Sequence, residues 1–240
     1  MDLMVHAEVR KLAEELACDP EDLDFLMRFD ADDLAQLRHV VYHALDEKFR
    51  PVFQRLELAA RLVPNPITAR IAMRHFSPLV LGRTATELSA DRALKLLPQL
   101  PNEFIADCSP YMDPVRAKPI MRGMPIDVIL PVARIVIERR DHVALGRMLA
   151  GLLPEHIPHV IGLVQDGHDV ILIAFHSEDT DVLDPVATHL SDEQVLAVVT
   201  AAVEHELVEE LAYVLSHVSE ANRERLVAAA HDDLVAALFG

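Results

Sequence analysis

The chain has 240 residues, a formal net charge of −17, two cysteines and no tryptophan, and 51% of it is apolar. The charge argues against nucleic acid, whose phosphates demand a basic surface, and no apolar run reaches the roughly 18–20 residues that span a bilayer. Cys18 and Cys108 form neither a metal nor a redox motif, so reduced thiols and a cytoplasmic setting are expected. Scarce glycine, and segments dominated by Ala, Leu, Glu and Arg, point to an all-α protein.

In chain order, the first element is a helix over LMVHAEVRKLAEELA (3–17), whose frequent charges do not suit a signal-peptide apolar region. PEDLDFLMRF (20–29) reads as a short second helix. ADDLAQLRHVVYHALDEKFRPVFQRLELAARLV (31–63) reads as a long third, bent or broken at Pro51. Residues 1–62 follow no repeat and are expected to form an atypical N-terminal helical cap.

Beyond residue 63 proline organises the chain. It lacks an N–H and has a fixed φ, so it suits the first turn of a helix, where N–H groups have no intrahelical partner. Pro66, Pro78, Pro101, Pro114, Pro125 and Pro154 each read as the start of a short helix, as does Pro20 earlier on. The stretch 113–140 is thus expected to be a helical hairpin, about 114–123 and 125–140, with Pro119 and Pro131 kinking or shortening its arms.

Candidate N-caps Asn65, Ser89, Asp113, Asp141, Asp166, Ser191 and Ser219 recur at steps of 24 to 28 residues. Leu88, Met112, Leu190 and Val218 precede a cap and suit a hydrophobic staple, and Ser191 with Gln194 fits a capping box. Helical pairs at a fixed period are the signature of an α-solenoid. The expected fold is all-α, a right-handed superhelix of short hairpins, with residues 63–240 packed as one continuous unit after the cap.

Leu97–Pro98, Leu100–Pro101, the DPVRA run Asp113–Ala117, Met124–Pro125 and Leu153–Pro154 resemble the tandem short helices of the superhelical cytoplasmic N-domain of magnesium-transporter proteins. The likeness covers roughly residues 65–220. It implies the fold alone: neither a regulatory nucleotide-binding module nor a membrane domain is expected, and no functional residue carries over.

Candidate chemistry is sparse. His39, His43 and Glu47 stand at i, i+4 and i+8, one face of a helix, where two imidazoles and a carboxylate can hold Zn²⁺. The plainer reading is two partly exposed histidines, because the Glu of H-E-x-x-H is replaced by Val40. Glu155, His156 and His159 begin another helix, where a carboxylate suits the dipole without any catalytic role. His189 and His217 each stand two residues before a cap serine. There they stabilise a helix C-terminus, or form a ladder that a partner reads. No nucleophile elbow and no phosphate-cradling glycine loop occur.

The charge is uneven. Residues 1–147 hold 20 Lys/Arg and 22 Asp/Glu, whereas 148–222 hold no Lys or Arg, 14 Asp/Glu and seven His. The expected function is therefore a helical-repeat binding or scaffold protein, without catalysis, that recognises another protein of basic character. Candidate contact residues are His189, His217, Glu206, Glu209 and Glu210. The alternative is a carrier of an apolar small molecule or cofactor in a helix-lined cavity, with His75 and His176 orienting its polar group. No particular cofactor is implied, and self-association is compatible with either reading.

Overall fold

The computed structural model describes residues 3–229. Among these the regular elements are all helical, and there is no strand. By internal contacts the chain divides into two units, Met1–Ala117 and Lys118–Gly240. Residues 1–62 thus share a unit with residues 63–117.

The first unit contains α1 (Leu3–Leu16), a 3₁₀ segment (Pro20–Arg28), α2 (Ala31–Ala60), α3 (Asn65–His75), α4 (Pro78–Ala85), α5 (Ala90–Leu96) and α6 (Asn102–Cys108), and α7 (Pro114–Gly123) spans the division. The starts follow from local chemistry. Asp19, Asp30 and Ser77 accept hydrogen bonds from the backbone N–H groups of Glu21, Asp33 and Val80, satisfying donors that a helix start leaves free. Asn65, expected as a cap, is instead the first helical residue, and Pro64 precedes it. α1 packs on the 3₁₀ segment and α2 through Val5, Val9, Leu12, Leu23, Leu26 and Leu34.

α1 also buries charge. Glu8 lies between Lys11 at 3.0 Å and Arg38 at 2.9 Å. Burial alone would raise its pKa, but the two cations outweigh burial and hold the carboxyl below its ordinary value. Glu15 pairs with Arg83, whose guanidinium lies over the Tyr42 ring. The Tyr42 hydroxyl in turn donates to Asp113.

α2 does not break at Pro51. It runs unbroken through that residue, which is exposed, as is Glu47 one turn earlier, so water can reach the Glu47 carbonyl that loses its donor. α7 and α8 (Ile126–Glu138) likewise continue through Pro119 and Pro131.

The second unit continues with α9 (His142–Met148), α10 (Ile157–Ile161), α11 (Gly167–Phe175), α12 (Leu183–His189), α13 (Asp192–Glu204), α14 (Val208–Ser216) and α15 (Glu220–Ala229). Its helices pack alternately: α9 on α11, α11 on α13, α13 on α15, and beside them α8 on α10 and α10 on α12. Asp141, Asp166 and Ser191 cap α9, α11 and α13 as their spacing predicts, and Ser191 and Gln194 form the full capping box.

Two glycines set how closely the odd-numbered helices approach. A Cβ on Gly146 would lie 2.6 Å from the Ile173 carbonyl oxygen, and one on Gly167 would overlap the Ala197 backbone. Only a residue without a side chain allows backbones this near.

The third residue after each cap is polar and buried in three successive helices of this set: Asp169 in α11, Gln194 in α13 and Asn222 in α15. The Gln194 amide donates to the carbonyls of Ile161 at 2.9 Å and Val164 at 2.7 Å. The Asn222 amide donates to the Asp184 carboxylate at 2.7 Å and the Thr188 hydroxyl at 2.9 Å. Asp184 also accepts from the Ser219 backbone N–H at 2.7 Å, so a carboxylate on α12 caps α15. The Ser219 backbone N–H and the Asn222 amide hold that carboxyl below its ordinary value.

Candidate functional site

The caps Asp141 and Asp166 place three donors in the first turns of α9 and α11. His142 is the first residue of α9, and His168 and Asp169 are the second and third of α11. Because α9 lies on α11 at Gly146, the three side chains meet. His142 Nε2 is 2.8 Å and His168 Nδ1 is 3.4 Å from the same Asp169 oxygen, Oδ1. The three donor atoms all lie within 4.8 Å of one another, the one group of three or more such donors among the described residues.

The carboxylate is the buried member. Asp169 retains 9% side-chain exposure, His142 11% and His168 22%, so the group opens to solvent on the His168 side. The His168 ring meets His142 edge-on at 5.6 Å and the exposed His205 at 5.0 Å. A carboxylate only accepts, so in hydrogen-bonded form His142 Nε2 and His168 Nδ1 carry the protons. Two imidazole nitrogens and a carboxylate oxygen are also a donor set that suits Zn²⁺ and neighbouring transition metals.

Arg140 completes the surroundings. Its backbone is left-handed, with φ of 55°, a conformation that favours glycine. Its guanidinium lies 3.0 Å from Asp166 Oδ2 and 3.9 Å from Asp169 Oδ1. No protein-family model, no curated protein and no solved structure matches the chain.

The site residues expected from sequence are placed as follows. His39 and His43 do meet, Nε2 to Nε2 at 2.9 Å, on the exposed surface of α2. Glu47 is exposed and joins no three-donor group with them. Glu155 and His159 are exposed while His156 is buried. His75 is exposed in the last turn of α3, whereas His176 is 2% exposed.

His189 and His217 serve their own helices. Each turns Nδ1 onto the carbonyl four residues back, Pro185 at 2.7 Å and Tyr213 at 2.9 Å. A carbonyl cannot donate, so each Nδ1 carries the proton and each Nε2 is left to other partners. Of the candidate glutamates, Glu210 is buried at 9% exposure, while Glu206 and Glu209 are exposed at the α13–α14 corner.

That corner gathers carboxylates. Elsewhere in the acidic segment some exposed carboxylates have cations, Asp166 with Arg140, Glu178 with Arg147, Asp192 with Arg225 and Glu220 with Arg223, while Glu155, Asp181 and Glu193 are exposed at separate places without an ion pair among those described. Glu204, Glu206 and Glu209 are exposed around the corner, and no ion pair among the described residues uses them. Glu206 sits there with a left-handed φ of 57°.

The sequence reading missed the His142, His168 and Asp169 group. A signal was present: these residues occupy the first turns after two successive period-matched caps, Asp141 and Asp166.

Proposed function

We propose that the chain is a helical-repeat binding protein whose α13–α14 corner docks a basic segment of a protein partner. The single observation that carries this is the set Glu204, Glu206 and Glu209, three exposed carboxylates without a cation partner among the described residues, in a stretch devoid of Lys and Arg. Clustered charge of one sign steers an oppositely charged partner and sets its orientation. The alternate packing of α9, α11, α13 and α15 supports reading these helices as one row of an α-solenoid, an architecture suited to presenting such a surface. The superhelical resemblance belongs to the same proposal and carries no transport role.

The test is fluorescence anisotropy of the full chain with a labelled peptide rich in Lys and Arg. Binding should weaken as salt rises, because exposed charges are screened beyond about 8 Å at physiological ionic strength. It should also weaken when Glu204, Glu206 and Glu209 are changed together to Gln. Binding that ignores both salt and the substitutions, or no binding at all, refutes the reading.

A further inference from the structure

We propose that His142, His168 and Asp169 form a binding site for a divalent transition metal, with Zn²⁺ the best match to the donors. The inference is independent of the partner-docking reading.

Donor spacing is the first argument. Tetrahedral zinc with bonds of about 2.0–2.1 Å holds its ligand atoms about 3.3 Å apart. The distances from Asp169 Oδ1 to His142 Nε2 and His168 Nδ1 are 2.8 and 3.4 Å. For a cation to enter between the three atoms, the His142 proton passes from Nε2 to Nδ1 and the His168 proton from Nδ1 to Nε2, so that each ring ligates as neutral imidazole, with only small side-chain adjustments.

Rigidity is the second. The donors stand in first turns fixed by the caps Asp141 and Asp166, on helices held together by the close approach at Gly146, with α11 held in turn against α13 at Gly167. A site on rigid elements holds its geometry without ordering a loop.

Access and valence are the third. A buried carboxylate supplies charge, and the more open His168 side leaves a coordination position for water or for His205, whose ring already lies 5.0 Å from that of His168. The group also differs from the His39 and His43 pair, which has no third donor in its group and stands wholly on the surface.

Arg140 opposes the metal. Its guanidinium is the one cation drawn against Asp169 in the ion pairs described, at 3.9 Å, while its shorter bond goes to Asp166 at 3.0 Å. Its side chain is 60% exposed, so it can swing outward when a dication arrives. A purely structural His–Asp–His hydrogen-bond group gives no reason for Arg140 to affect zinc affinity, whereas a metal site does.

The experiment is calorimetric titration of metal-free full-length protein with Zn²⁺ at neutral pH, repeated with Co²⁺ to read coordination from its visible spectrum. Wild-type protein should bind one Zn²⁺ stoichiometrically. His168→Gln and Asp169→Asn should each weaken that binding at least tenfold, in line with loss of a ligand. The double variant His39→Ala with His43→Ala should leave it unchanged, and Arg140→Ala should tighten it several-fold. Should a variant fail to fold, imidazole NMR of wild-type protein decides the point: zinc must shift the His142 and His168 ring signals and leave those of His39 and His43 in place. No stoichiometric binding, binding that survives His168→Gln, or shifts confined to His39 and His43 overturns the assignment.

Discussion

Gln194 and Asn222 hold equivalent places in α13 and α15. Each stands three residues after its cap serine, and each turns its carboxamide back onto the helix three elements earlier, Gln194 onto the end of α10 and Asn222 onto α12. The equivalence of these two positions is therefore present in the hydrogen bonds as well as in the spacing of the cap serines. Gln194 is the more costly to lose. Its amide serves two backbone carbonyls, and its Oε1 accepts from the Ser191 N–H at 3.0 Å. Gln194→Ala should destabilise the protein by about 2–4 kcal/mol, since buried polar groups left unpaired cost roughly 1–3 kcal/mol each. Asn222→Ala should cost less, about 1–2 kcal/mol, because Thr188 is exposed and Asp184 only partly buried. Urea unfolding followed by circular dichroism gives both values and their order.

Gly167→Ala should disrupt the α11–α13 contact. The added methyl overlaps the Ala197 backbone, which cannot move aside as a flexible side chain can, so the cost should reach about 3 kcal/mol or more. Thermal unfolding and amide hydrogen exchange across α11 and α13 measure it. An unchanged melting temperature would mean that the helices do not approach at this glycine.

Glu8 ties the stability of the first unit to acid. Its carboxyl is held below its ordinary value because Lys11 and Arg38 outweigh burial. A depressed carboxyl contributes stability above its unfolded pKa, about 4.3, and that contribution is lost as pH falls through the lower folded value. Unfolding midpoints should be flat from pH 7 to about 5 on this account and drop below. Glu8→Gln should lower stability at pH 7 and flatten the drop, which urea titrations at pH 7, 4 and 3 will show.

The two thiols should separate under alkylation. Burial, with the neighbouring Asp107 charge, pushes the Cys108 thiol up to about 12, and thiolate is the reactive form. Cys18 is only partly buried. Iodoacetamide at pH 8 should modify Cys18 in the native protein and Cys108 only after denaturation, as peptide mass mapping will record. Equal labelling of the folded protein would contradict the burial of Cys108.

His189 and His217 should be Nδ1-protonated tautomers when neutral, because each Nδ1 faces a backbone carbonyl. Nitrogen chemical shifts of the two rings distinguish this from the Nε2–H form that predominates in free imidazole side chains.

What the sequence determined by itself is the local grammar. Asp19, Asp30, Ser77, Asp141, Asp166 and Ser191 begin helices because a short polar side chain can reach an N–H two or three residues ahead, and that reach needs nothing beyond one turn of chain. Pro20, Pro78 and Pro114 start helices for an equally local reason, a missing N–H and a fixed φ. Proline within a helix was less legible: whether Pro51, Pro119 and Pro131 end a helix depends on whether packing and water offset one lost hydrogen bond, and here the helices continue. The structure alone decided which polar groups meet. Asp184 caps α15 from another helix, Asn222 and Gln194 reach back three elements, and His142 joins His168 and Asp169. Each depends on how helices distant in sequence pack, and for α9 on α11 and α11 on α13 the spacing comes from backbone approaches at Gly146 and Gly167. Cap chemistry acts over a few residues of chain. The histidine–aspartate group is assembled from residues 27 apart in sequence, and only the packed helices bring them to within 2.8 Å.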